Sequence, residues 1–90
     1  MKIIEKPAKV LIIRMQNVPI IDATGIRILR DVNNDIRMKG TKLILSEVNS
    51  LQVSNELKKT RLLFQIGKGN ITNTYEKALR RANEILLNKY

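Results

Sequence analysis

Cysteine, histidine and tryptophan are absent from this 90-residue chain, and only three residues, Phe64, Tyr75 and Tyr90, are aromatic. Without thiols there is no disulfide, no thiolate metal site and no cysteine nucleophile. Without imidazole the chain lacks the side chain that titrates near neutral pH, the usual general base and the commonest metal ligand. Three scattered rings are too few for a platform on which single-stranded nucleic acid could stack. Long apolar runs are missing too. The longest, Val10-Leu11-Ile12-Ile13 and Val18-Pro19-Ile20-Ile21, fall far short of the roughly 20 residues that span a bilayer. The basic opening is followed by only four consecutive apolar residues before Arg14, too few for a secretory leader. The expectation is a domain that stays in the cytoplasm.

What remains is an ordinary folding composition, 43% hydrophobic and 28% charged, in a chain long enough for one hydrophobic centre and no second lobe. Residues 1–90 are therefore read as a single domain. Seventeen Lys and Arg against eight Asp and Glu give a net charge of +9 and a pI near 10.3, which favours a polyanionic partner. The basic residues are scattered from Lys2 to Lys89 instead of forming one tract. With no recognition motif for nucleic acid, the better use of the charge is attraction to an anionic lipid surface, at about 1 kcal/mol per nearby Lys or Arg.

Alternation of apolar patterns organises the chain. Residues 9–15 carry an unbroken β-branched apolar run, the signature of a strand covered on both faces. Residues 23–38 place Ile26, Leu29, Val32 or Asn33, and Ile36 on one helical face, closed by Gly40. Residues 42–47 repeat the strand pattern, and Ser50 caps a short helix with Val53 and Leu57 inward. Leu62, Leu63, Phe64 and Ile66 read as a last short strand. Gly67-Lys68-Gly69-Asn70 breaks the pattern as a loop. Asn73 and Glu76 form a capping box for a helix whose stripe is Ile71, Tyr75, Ala78, Leu79, Ala82, Ile85 and Leu86. Strand, helix, strand, helix, strand, helix is the order of an α/β fold with a mostly parallel sheet flanked by helices.

Chemistry-bearing patterns are sparse. The carboxylates show neither paired nor metal-ligand spacing, so no enzyme activity, metal or cofactor is expected. The Gly67-Lys68-Gly69-Asn70 loop lacks the spacing and the Lys-Ser or Lys-Thr ending of a phosphate-binding P-loop, and reads as a turn admitting the last helix. The informative point is Asp22-Ala23-Thr24-Gly25, where the first strand gives way to the first helix, the place where ligands and partners of such folds gather. Asp22 or Thr24 there also suits a helix cap.

The run from Val10 through Asp22-Ala23-Thr24-Gly25-Ile26-Arg27-Ile28-Leu29 resembles the central segment of STAS domains, in particular those at the cytoplasmic C-terminus of SulP-type anion transporters. The likeness continues through residues 39–46 and 62–67 and the helix around Ala78. It implies an anti-sigma-factor antagonist-like fold and a non-catalytic regulatory module at the cytoplasmic face of the membrane. Its partners would be a transmembrane transporter domain, of the same or another chain, and cytosolic proteins. The contact surface would be Asp22, Ala23, Thr24 and Gly25, with Ile26, Arg27 and Arg30 beside it. Free-standing family members that antagonise anti-sigma factors carry a phosphorylated serine where this chain has Ala23. That departure favours the transporter branch over a free-standing signalling module and leaves Thr24 as the neighbouring hydroxyl for modification. Transporter STAS domains also begin with strand material that has no counterpart before Lys9, so a shortened domain is expected. An uncovered sheet edge would then favour a homodimer.

Overall fold

A computed structural model describes residues 9–87; the expectation about strand material ahead of Lys9 lies outside these residues. Two strands, β1 (Val10–Arg14) and β2 (Lys42–Ser46), pair in parallel. The helices are α1 (Ala23–Met38), α2 (Leu51–Lys59), α3 (Leu62–Ile66) and α4 (Tyr75–Leu87), with a 3₁₀ turn, Lys68–Asn70, between α3 and α4. Parallel neighbours need a crossover, and α1 supplies it. The register sets Ile12 beside Ile44 and Ile13 beside Leu45. The fold is thus the expected α/β arrangement.

Both ends of α1 follow from the sequence. Asp22 Oδ1 accepts from the Gly25 amide at 2.9 Å. At the other end Gly40 adopts φ +81°, while the Thr41 amide donates to the Ile36 carbonyl and the Gly40 amide to that of Arg37. This is the doubly bonded helix stop that a left-handed glycine permits.

β2 is the centre of the molecule. Leu43, Ile44, Leu45 and Ser46 are all buried. Leu43 and Leu45 pack with Ile26 and Leu29 of α1, Val53 and Leu57 of α2, and Leu62 and Ile66 of α3. Ile44 faces the other way, against Ala78 and Ala82 of α4. The two alanines let α4 lie close to the sheet. β1 is less covered than its apolar run implies, because Leu11 remains 38% exposed. Among the described residues nothing pairs with its outer edge.

Three expectations are corrected. Residues 62–66 form helix α3 and not a strand. A strand would turn Leu62, Phe64 and Ile66 to one face, whereas the structure buries Leu62 and Ile66 and leaves Phe64 59% exposed, the i, i+4 spacing of a helix. Arg61, at φ 66°, makes the left-handed turn that separates α3 from α2. The third parallel element is instead a single bridge from Ile71 to Leu45. The α4 cap is Thr74 and not Asn73: the Lys77 amide donates to Thr74 Oγ1 at 3.1 Å. The stripe on α4 is also narrower than its sequence, since Leu79 and Leu86 stay about half exposed.

The α3 assignment can be checked by stability. Leu62→Ala should cost about 2–5 kcal/mol, the range for truncating a buried leucine, whereas Phe64→Ser should stay near the roughly 0.5 kcal/mol typical of surface changes. Similar losses for the two in chemical denaturation would point to a strand.

Candidate functional site

The carboxyl ends of β1 and β2 carry the loops leading into α1 and α2, and these loops are tied to each other. After β1 the chain turns at Met15, whose carbonyl accepts from the Val18 amide. Residues 19–21 then run along the start of α2. Ser50 Oγ donates to the Pro19 carbonyl at 2.6 Å and accepts from the Val53 amide as the α2 cap. The Gln52 side chain pairs with the backbone of Ile21 in both directions, accepting from its amide and donating to its carbonyl at 2.8 Å each. The side-chain amide thereby stands in for a neighbouring strand and sets where α1 begins.

Gly25 sits in the first turn of α1, where a Cβ would lie 2.7 Å from Cγ1 of the buried Ile21. The glycine is required by this close approach and not by an unusual backbone angle. The turn leaves Ala23, Thr24 and Arg27 exposed, while the Asp22 carboxylate is engaged as the helix cap. Ile20 and Leu51, flanking the Ile21–Gln52 pairing, are 71% and 79% exposed. Two residues expected beside this surface are placed elsewhere. Ile26 is in the core. Arg30 reaches away from it, donating to the Thr60 carbonyl at 3.0 Å and to Gln65 Oε1 at 3.4 Å, and so joins α1 to the α2–α3 elbow.

Arg14 and Glu47 are the neighbours that sequence patterns missed. Arg14 Nη2 and Nε meet the two Glu47 carboxylate oxygens at 2.7 and 2.9 Å. The buried Ser46 hydroxyl donates to the same carboxylate at 2.7 Å. The Arg14 guanidinium also lies 4.1 Å from the centre of the Tyr75 ring on α4, a cation–π geometry. One side chain therefore links β1, the loop after β2, and α4. The Arg14 hydrogen bonds, then that of Ser46, hold the Glu47 carboxyl down at about 2 against opposing desolvation, and the Glu47 hydrogen bond chiefly pushes the Arg14 guanidinium up. Glu47 adopts φ 63°, a left-handed conformation costing about 1–2 kcal/mol outside glycine. The signal was present in the register: Arg14 directly follows one apolar run, Glu47 follows the other after Ser46, and parallel pairing sets Arg14 beside Ser46.

Beside this pair lies an open cleft of about 500 Å³, whose polar lining includes Gln16, Asn17, Asn49 and Ser50. Gly67-Lys68-Gly69-Asn70 lies apart from it. Gly67 takes φ +105°, and the buried Asn70 side chain donates to the Ile66 carbonyl at 2.8 Å and accepts from Arg81 Nε at 2.7 Å. Among the described residues no cluster of carboxylates has the makings of a metal site.

Two measurements check this geometry. Gly25→Ala should lower stability, because overpacking costs about 1–3 kcal/mol against a helix-propensity gain of at most about 1 kcal/mol; a raised melting temperature would contradict the close approach. Glu47→Gln should be less stable than the parent at neutral pH. The folded-state value of Glu47 is depressed, so its contribution is present above about 4.5 and is lost as pH falls toward 2. The gap between the two proteins should close over that interval, and a gap independent of pH would contradict the pairing.

The chain matches the family model for the STAS domain over residues 1–78. No curated protein matches it. Among solved structures it is similar to a sulfate transporter family protein from Wolinella succinogenes, with 32% identity and a TM-score of 0.86, covering 96% of this chain and 70% of that one. It is also similar to the SulP transporter STAS domain from Vibrio cholerae, with 30% identity and a TM-score of 0.84, covering 92% of this chain and 64% of that one. With the parallel pair, the capped Asp22 turn and the flanking helices all in place, the chain belongs to the STAS domain family.

Proposed function

We propose that the chain is the non-catalytic regulatory module of a SulP-type sulfate or related anion transporter, acting at the cytoplasmic face of the membrane through bound partners. The likeness to the Wolinella succinogenes sulfate transporter family protein, over 96% of this chain, carries the reading. Among the described residues no helix is long and apolar enough to cross a membrane, so the membrane part of such a transporter would come from elsewhere in the same or another chain. The partner surface is the first turn of α1, with exposed Ala23, Thr24 and Arg27 bordered by the apolar Ile20 and Leu51. Apolar groups ringed by polar ones are the usual composition of a docking patch. Thr24 is the hydroxyl in this turn. A phosphate there would add negative charge beside Asp22 and change what the patch accepts.

Fractionated native cells probed with an antibody against the domain test this reading. It predicts a membrane-bound band, either much heavier than 10.3 kDa or held there by a separate transporter chain. A soluble band at 10.3 kDa with none in the membrane fraction would overturn it and favour a free-standing signalling module.

A further inference from the structure

A second cleft, of about 460 Å³, opens where α2, the start of α3, the 3₁₀ turn and the start of α4 approach the carboxyl end of β2. Lys68 and Lys77 both line it, together with Ser54, Thr72 and Asn73. Among the described residues, the ammonium groups of Lys68 and Lys77, the Ser54 hydroxyl and the Asn73 side-chain amide make no hydrogen bond or ion pair. No carboxylate lines the cleft. On the helices that border it, Glu56 and Glu84 are engaged by Lys59 and Arg81, and Glu76, in the first turn of α4 beside Lys77, is exposed and is not part of the lining.

Both lysines project from anchored backbone. Gly67 reverses the chain after α3, and the buried Asn70 side chain locks the 3₁₀ turn that begins at Lys68. The start of α4 is held by Thr72, whose amide and hydroxyl both donate to the Leu45 carbonyl, and by the Thr74 cap on Lys77. Two like charges thus share a cleft that also offers the Ser54 hydroxyl and the Asn73 side-chain amide, while the Thr72 hydroxyl is engaged by backbone carbonyls. Such a set attracts a compact anion with several acceptor oxygens, because charge-assisted bonds to phosphoryl or sulfuryl oxygens are about twice as strong as neutral ones.

We propose that this cleft binds a tetrahedral oxyanion of the phosphate or sulfate type, with Lys68 and Lys77 as the charged contacts and Ser54 and Asn73 as donors. The site is separate from the α1 surface and does not depend on the transporter reading. It is also not a P-loop, since the lysines come from two different elements and no backbone cradle is involved.

The test is an NMR titration of the domain with inorganic phosphate, then with sulfate, against sodium chloride at matched ionic strength. Saturable shifts centred on Ser54 and residues 72–77 are expected. In the Lys68→Gln/Lys77→Gln variant the affinity should fall about tenfold or more. The Lys39→Gln/Lys42→Gln variant, altered at the opposite end of β2, should bind like the parent. All four lysines are exposed and, among the described residues, unpaired, so both variants should keep the parental melting temperature. A parallel titration with vesicles of phosphatidylserine, and with neutral vesicles as control, separates a lipid headgroup from a free oxyanion. Binding of either kind that needs Lys68 and Lys77 supports the site. Unsaturable shifts, or equal loss in the two double variants, would overturn it and reduce the effect to general attraction by the +9 charge.

Discussion

The structure depends on a strand whose last four residues, Leu43 to Ser46, are sealed from water on both faces. Leu43, Ile44 and Leu45 are each 2% exposed or less. Fully burying side chains of this kind stabilises by about 1.5–3 kcal/mol apiece, and that gain requires apolar cover above and below the strand. The alternation of β2 assigns the cover: α1, α2 and α3 over Leu43 and Leu45, α4 over Ile44. Its edges are used as well, by β1 on one side and the Ile71 bridge on the other. With all four directions occupied, the loops at the carboxyl end are forced together.

That end is held by polar groups placed where the hydrophobic core stops. Arg14 joins the end of β1 to the loop after β2 and to α4 through Glu47 and Tyr75, and Gln52 aligns the segment that delivers Asp22 to the start of α1. These contacts leave the first turn of α1 presented to solvent on a firm base. The left-handed backbone of Glu47 falls at the same place, and that of Arg61 at the α2–α3 junction.

Much of this was legible in the sequence. Periodicity of β-branched runs located β1 and β2, and the capping residues Asp22 and Ser50 and the stop at Gly40 marked helix ends within a residue or two. The residues around Asp22 also carried the STAS likeness that the comparisons confirm. What escaped detection depended on tertiary context. Leu62-Leu63-Phe64-Gln65-Ile66 satisfies strand and helix patterns equally until the exposure of Phe64 decides between them. Asn73 and Thr74 are both competent caps, and the bonds of Thr72 to Leu45 select the second. The Arg14–Glu47 pair spans 33 positions and became visible only through the register. Ile26 and Arg30 lie close in sequence to the Asp22 turn, but helical rotation carries Ile26 inward and Arg30 toward α3.

Under the proposed function, the carboxyl end of the sheet is the working end of the domain. Photo-crosslinking in native membranes addresses this with two positions on one helix: Thr24 in the first turn of α1, and Met38 at its other end, 88% exposed. The account predicts a crosslink from position 24 to the membrane part of the transporter or to a protein bound with it, and none from position 38. Crosslinks from position 38 without any from position 24 would contradict it.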